Sequence, residues 1–373
     1  MSTTTTKTKR KYIMNLNQVE QLSCEEKEKL APVSERYVFR SNDYYNNLID
    51  WNDPDDPIRR LIIPHEDELQ DWGELDASNE QSVTVVPGAQ HKYFDTMLLL
   101  CNEVCGAYCR YCFRKRLFMN DNDEASLDIS QGLAYLREHT EINNVLLTGG
   151  DPLLMSTRRL IHIFEQLRAI PHVKIIRLGS KMPAFDPFRI LNDEPLQAAF
   201  RKYSTPEQRI YLMAHFDHPR ELTEQAVAGI DACIRNGVIC VNQCPLIKGI
   251  NDDPDVLAEM YGKLSYIGCP PYYLFQGRPT EGNAPYEVPM VQGWNIFNTA
   301  ITKNSGLGRR AKYVMSHETG KIEIQAIDES HIYLRYHEAK DPNNLGRFLV
   351  CKRDDEAFWL DDLTIERDFR ASA

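Results

Sequence analysis

The chain has 373 residues, 43 Lys and Arg against 54 Asp and Glu, a net charge of −11 and 42% hydrophobic residues. That length suits one large α/β barrel with extensions, or two domains, and the acidic balance argues against a nucleic-acid surface as its main business. No run approaches the roughly 18 apolar residues of a membrane helix. The Thr-rich, basic start MSTTTTKTKRKYIM also lacks the apolar core of a signal peptide, so no membrane partner is expected. Ten cysteines point to reduced thiols and metal ligation in a cytoplasmic setting, not to a disulfide framework.

Residues 1–15 read as a disordered basic tail. Residues 16–83 read as a helical extension, with a capping box at Ser23 and Glu26 opening a helix through about Ala31 and a turn cluster at Asp53–Pro57. From residue 84 to 304 the pattern changes to short apolar, β-branched runs that alternate with helical periods. Candidate strands are Thr96–Cys101, Asn144–Thr148, Lys174–Gly179, Arg209–His215, Val238–Gln243 and Pro271–Gln276. The clearest helix is Thr157–Ile170, with Leu160, Ile163, Phe164 and Leu167 on one face; Thr223–Asn236 and Pro254–Leu264 read similarly. Strand–helix repeats predict parallel strands, and a partial (β/α)6 barrel with chemistry at the strand C-termini. A doubly wound sheet fits the same pattern. Residues 305–373 read as a C-terminal extension, with Lys321–Ile327, His331–His337 and Phe348–Lys352 as a small antiparallel sheet. The charged residues from Asp361 on read as peripheral.

The first candidate strand runs into CNEVCGAYCRYCFRKRLF, where Cys105, Cys109 and Cys112 are spaced C-x3-C-x2-C. A tight loop brings three such thiolates within reach of one cluster. The paired C-x2-C or H-x3-5-H spacings of zinc sites are absent. Three ligands on a [4Fe–4S] cluster leave one iron open. The bland alternative is a set of buried thiols serving as small hydrophobes. The spacing, with aromatic Tyr111 before the third cysteine, resembles that of the radical S-adenosylmethionine (SAM) enzymes, which cleave SAM at the open iron to give a 5′-deoxyadenosyl radical.

Polar motifs follow the other strands. Gly149-Gly150-Asp151-Pro152 follows the second; it is ordinary turn chemistry, or the place where radical SAM enzymes bind the methionyl amino group. Ser180, His215 and Gln243 follow or end later strands, as helix caps or satisfied core polar groups singly, and together as a polar ring. Arg114, Lys115 and Arg116 follow the cysteines; a charge run is usually solvated, yet Arg114 is placed for bidentate recognition of a carboxylate.

More specifically, the chain resembles the lysine 2,3-aminomutase family. The resemblance rests on DDPIRRLIIP (55–64), VPGAQHKYFDTMLLLCNEVCGAYCRYCFRKR (86–116), LLTGGDPLL (146–154), HFDHPRELTE (215–224), NQCPLIKGIND (242–252), PPYYLF (270–275) and GKIEI (320–324). It implies a partial barrel, a [4Fe–4S] cluster, SAM and, in such enzymes, pyridoxal phosphate (PLP), with an amino group moved from Cα to Cβ. By the resemblance, Cys105, Cys109 and Cys112 hold the cluster. Gly149, Gly150, Asp151, Ser180, His215 and Gln243 surround SAM, Arg114 holds the substrate carboxylate, and Lys321 is the PLP lysine.

This sequence departs from the family pattern in places. The glycine run before the PLP lysine is reduced to Ser316-His317-Glu318-Thr319-Gly320-Lys321. Lys92 stands for an arginine near PLP and Phe275 for a tyrosine. Arg278 stands where lysine-acting members carry an aspartate, and a second aspartate falls near Ser316. An arginine there reverses the preferred substrate charge. Of the family's C-terminal zinc cysteines only Cys351 is present, so structural zinc is not expected.

The reading is therefore an aminomutase-like isomerase acting on a carboxylate-bearing amino acid other than lysine. Arg114 and Arg278 would be its anion partners, and Lys321 its Schiff-base lysine if PLP is bound. Two alternatives stand beside it: a PLP-independent radical SAM epimerase, dehydratase or dehydrogenase, and a non-catalytic iron–sulfur sensor. The expected partners are a small amino-acid-like substrate and a flavodoxin- or ferredoxin-type electron donor, with homo-oligomerisation left open.

Overall fold

The structure, a computed structural model, describes residues 10–119 and 124–370. Its strands are β1 (Tyr12–Ile13), β2 (Ser41–Asn42), β3 (Thr84–Val86), β4 (Ala89–Tyr93), β5 (Thr96–Asn102), β6 (Asn144–Gly149), β7 (Ile175–Ser180) and β8 (Arg209–Ala214). They continue as β9 (Ile239–Pro245), β10 (Pro271–Phe275), β11 (Lys312–His317), β12 (Gly320–Ile327), β13 (His331–Ala339), β14 (Phe348–Lys352) and β15 (Ile365–Phe369). β3 to β15 form one sheet in chain order, with β3 and β15 at its edges.

From β5 to β11 every neighbouring pair is parallel. Parallel neighbours need crossovers, and the chain supplies helices Ser130–Glu138, Thr157–Arg168, Glu194–Tyr203, Glu224–Arg235, Pro254–Tyr266 and Met290–Thr302 between them. Four of these start where a short polar side chain accepts from a first-turn N–H: Ser156, Asp193, Thr223 and Asp253. In Thr157–Arg168, Leu160, Ile163, Phe164 and Leu167 are all buried, as their spacing requires. Sheet-side apolar residues and helix stripes form one continuous core reaching from Ile13 to Leu360.

Four features differ from the sequence reading. The described part of the expected disordered tail, from residue 10, is ordered: Tyr12–Ile13 pairs antiparallel with Ser41–Asn42, while residues 1–9 lie outside the described residues. The capped helix runs from Cys24 to Arg36, past Pro32, because a proline removes one N–H bond while Leu30 and Val33 still pack into the core. The C-terminal strands are not a separate small sheet. β11 pairs parallel with β10 and antiparallel with β12, so they extend the main sheet. The charged end is also a strand, β15, fully exposed along its length.

Among the described residues no helix is long and apolar enough to cross a membrane. Removing the buried Leu160 side chain (Leu160→Ala) should cost about 2–5 kcal/mol. It would be read as a lower denaturation midpoint with an unchanged slope under anaerobic conditions.

Candidate active site

β5 ends at Asn102, and the cysteine loop starts there by docking on the turn that follows β6. Gly150 N–H donates to Asn102 O (2.6 Å) and Asp151 N–H to Val104 O (3.0 Å). Asn102 Nδ2 donates to both Val104 O and Asp151 O, each at 2.7 Å. A Cβ on Gly150 would stand 2.4–2.6 Å from Val104 backbone atoms, and Gly149 has φ +98°, which L side chains rarely adopt. These glycines are therefore needed for two backbones to touch, whatever they offer a ligand.

The N-terminal extension clamps the loop from outside. Tyr108 N–H donates to Arg40 O (3.0 Å) and Arg110 N–H to Leu61 O (3.0 Å). The Arg110 guanidinium forms a buried bidentate pair with Glu68, at 3.0 Å from Nε to Oε1 and 2.6 Å from Nη2 to Oε2. Held this way, half-buried Cys105, Cys109 and Cys112 open onto a cavity of about 270 Å³. Burial pushes all three thiols up.

Every residue singled out from the sequence for this site lines that one cavity: Gly149, Gly150, Asp151, Ser180, His215 and Gln243, and further round it Arg114, Arg278 and Lys321. Asp151 accepts from Ser180 Oγ (2.7 Å), Lys181 N (2.8 Å) and Leu153 N (2.9 Å). Burial outweighs these bonds and pushes its carboxyl up to about 6.

Beside it lies a second buried network. Asp217 accepts from Tyr111 OH (2.5 Å) and Lys181 Nζ (2.5 Å), and its Oδ1 lies 3.0 Å from His215 Nε2. Lys181 Nζ also lies 2.6 Å from Glu221, which accepts from Tyr45 OH at 2.6 Å. Burial by itself would raise Asp217, but His215 and Lys181 outweigh it and hold it below the usual carboxylate range. Burial would lower Lys181, and Asp217 and Glu221 outweigh that to raise it. The result is a rigid, ionised wall that sets the His215 ring and Tyr111.

On the far side one fully buried carboxylate, Glu80, faces four cations. Arg114 grips it at 2.9 Å through both Nε and Nη2, Lys92 lies at 3.2 Å, Arg116 at 3.2 Å and Arg278 at 3.7 Å. Burial would raise Glu80; Arg114, Lys92 and Arg278 outweigh it and hold the carboxyl well below its ordinary value. Burial pulls Lys92 down to about 8 and Arg278 to about 10, against the pull of Glu80. Arg114 gives one N–H of its third nitrogen to Thr148 Oγ1 (2.8 Å), so three of its five N–H groups are engaged by the protein and two are left. Arg278, stacked 3.6 Å over the Phe113 ring, has a buried Nη1 with no hydrogen-bond partner among the described residues.

Lys321, on β12, closes the cavity. Its Nζ sits 4.4 Å from the centre of the Tyr273 ring and 3.2 Å from Glu338 Oε1. Burial lowers its pKa, with Glu338 opposing. The segment before it is a hairpin in which Ser316 pairs with Lys321 and His317 with Gly320, so its backbone is engaged in strand pairing. Gly320 is kept because a Cβ would meet Glu338 O at 2.4 Å.

This geometry can be set beside known proteins. The chain is 52% identical over 357 residues to the "Putative L-lysine 2,3-aminomutase" of Aquifex aeolicus, covering 95% of this chain and 96% of that one. It is 35% identical over 288 residues to the L-lysine 2,3-aminomutase of Clostridium subterminale, covering 76% and 68%. The chain belongs to the lysine 2,3-aminomutase family. It is 32% identical over 294 residues to the glutamate 2,3-aminomutase of Clostridioides difficile, covering 78% of this chain and 68% of that one. A scan of protein-family models found no match. A radical SAM methyltransferase from Sphaerobacter thermophilus superposes at a TM-score of 0.41 and 17% identity over 59% of this chain and 66% of that one, too distant to carry an argument.

Membership makes the protein an enzyme of a family of isomerases, with [4Fe–4S], SAM and PLP as the family's cofactors. The residues present fit these groups. Three cavity-facing thiols suit a cluster with one open iron. A buried lysine of lowered pKa suits condensation with an aldehyde. The hairpin offers no row of free N–H groups for a phosphate, so that charge would fall to the cations Lys92 and Arg177.

Several site residues were missed from sequence. Asp217 and Glu221 lie inside HFDHPRELTE, and Lys181 directly follows Ser180, so proximity to a motif was a usable signal. Glu80, in the polar stretch SNEQS, looks like any solvated loop residue. Gly150→Ala should displace the cysteine loop while leaving the sheet folded. The expected result is a reconstituted protein with unchanged far-ultraviolet circular dichroism and clearly less bound iron than the parent.

Proposed function

We propose that this chain is a radical SAM 2,3-aminomutase acting on an α-amino acid that carries a second anionic group. The supporting observation is the cavity's charge. Lys92, Arg114 and Arg278 share the single carboxylate Glu80 and Arg177 adds a further cation, while Lys181 and Lys321 are paired by Asp217, Glu221 and Glu338; the lining carboxylates Asp151 and Glu287 are both pushed toward the neutral form by burial. A substrate with a distal ammonium would meet like charges, whereas a dicarboxylate would meet Arg278, whose Nη1 makes no hydrogen bond and faces Glu80 only at 3.7 Å. The parallel strands β5–β10 and their helices are read as a partial (β/α)6 barrel, and the protein as a cytoplasmic enzyme served by a small reducing electron carrier.

In this reading Cys105, Cys109 and Cys112 hold the cluster. Asp151, with Ser180, receives the amino group of SAM, and His215 and Gln243 border its other end. The Asp217–Lys181–Glu221 network fixes His215 and Tyr111 so that the site needs little reorganisation. Arg114, its direction set by Glu80, meets the α-carboxylate with its open edge; Arg278 meets the second carboxylate. Lys321 holds PLP. Bound together, the cofactors supply a hydrogen-abstracting radical and a carrier for the migrating amino group. Tyr93, Phe113 and Phe275 wall the reacting end and exclude water.

One observation favours a second reading. Glu287 lines the cavity with Oε2 unpartnered among the described residues, and could accept a lysine-type ammonium. Turnover decides between them. Reconstituted protein with SAM, reductant and PLP is offered aspartate, glutamate or lysine, and 5′-deoxyadenosine and β-amino product are measured. A dicarboxylic amino acid should be favoured by about tenfold or more. A preference for lysine, lost in Glu287→Gln, would instead establish the second reading.

Lys321→Ala should lower amino migration roughly a hundredfold or more while SAM cleavage continues. Equal loss of both would argue against a PLP role for Lys321. Because Lys92 is charged only below about pH 8, anion affinity should weaken between about pH 7 and about pH 9. Lys92→Arg should flatten that rise in KM.

A further inference from the structure

Away from the cavity, on the outer side of β4, two imidazoles and a carboxylate meet. One ligand atom from each of His91, His139 and Glu141 lies within 4.8 Å of the other two. They come from different places in the fold: His91 from β4, His139 from the end of helix Ser130–Glu138, and Glu141 from the connection to β6. None of the three lines the cavity. All are half-buried, on ordered backbone.

The donor chemistry is set in advance. His91 Nε2 lies 3.1 Å from Phe94 O. A carbonyl only accepts, so Nε2 carries the hydrogen and Nδ1 presents its lone pair inward. That is the outer-sphere arrangement by which metal-binding histidines are oriented. Tyr135 OH stands 2.9 Å from His91 Nδ1, a fourth donor atom at the same point. The Tyr135 ring stacks on His139 at 3.9 Å, fixing that imidazole, whose Nδ1 is 2.8 Å from Glu141 Oε1.

We propose that His91, His139 and Glu141 form a binding site for a divalent transition-metal ion of the zinc class, separate from the iron–sulfur site. Two neutral imidazoles and one carboxylate are borderline ligands matched to such ions, and an open fourth position remains for Tyr135 or water. To bind through Nδ1, the neutral His139 ring moves the proton it shares with Glu141 to Nε2 by exchange with solvent, with no net proton released. The ion ties β4 to the end of helix Ser130–Glu138. His91 faces outward on that strand, and the next residue, Lys92, points to the opposite face and reaches Glu80 in the cavity wall. The site thus braces the strand that carries part of the cation array. This inference does not depend on the substrate reading.

The test uses reconstituted holoprotein, whose cluster cysteines are occupied by iron, titrated with Zn²⁺ by calorimetry and assayed for metal content. One equivalent of zinc beyond the cluster iron is expected, with affinity at least about tenfold weaker in His91→Ala and in His139→Ala. Zn²⁺ should raise the anaerobic melting temperature of the parent and not that of His91→Ala. Co²⁺ should give the visible bands of a low-coordinate imidazole site. No zinc uptake, or equal uptake and affinity in the variants, overturns the proposal. If an alanine variant does not fold, His139→Gln and the cobalt spectrum of the parent decide: a spectrum of merely hydrated Co²⁺ overturns it.

Discussion

The site depends on two backbones that touch. Gly149 and Gly150 lack side chains, so the turn after β6 can donate its Gly150 and Asp151 N–H groups to the Asn102 and Val104 carbonyls at separations that a Cβ would block. That contact sets where the cysteine loop leaves the sheet. The Arg110–Glu68 pair and the donations to Arg40 O and Leu61 O then hold the loop from the other side. A three-thiol site has no closed ligand shell of its own, so its shape must come from this clamp. This gives the N-terminal extension a function: it presses the ligand loop against the strand ends.

Around the cavity the balance between burial and pairing is uneven, and the unevenness is chemically useful. Lys181 is overpaired, by Asp217 and Glu221, and stays charged as part of a fixed wall. Glu80 is shared among four basic side chains, which leaves positive charge to spare in a confined space. Surplus charge of one sign in a low-dielectric pocket attracts the opposite sign strongly and penalises its own. In the function proposed above, the same site would recruit anionic substrates or phosphate and discriminate against cationic ones.

The strand–helix alternation was readable because its physical cause is local. The parallel strands are mostly apolar runs, and four of the six crossover helices open at a capping Ser, Thr or Asp, with buried stripes such as Leu160, Ile163, Phe164 and Leu167. β3, β4 and β11 escaped detection because their polarity is mixed; they are strands because neighbours pair with them, β3 with β4, β4 also with β5, and β11 with β10 and β12. β15 is exposed at every residue and owes its conformation to β14 alone.

What the sequence determined by itself was chemistry tied to spacing: three thiols in one loop, a glycine pair after a strand, polar residues at strand ends, and a lysine downstream. Spacing suffices there because neighbours in the chain are neighbours in space. Only the tertiary structure decided which distant charges meet. Glu80 with Arg114, Lys92 and Arg278, Lys181 with Asp217 and Glu221, and His91 with His139 and Glu141 each join separate segments. Their pairing follows from how the sheet is assembled and from the cost of burying a charge without a partner, and no local pattern records either.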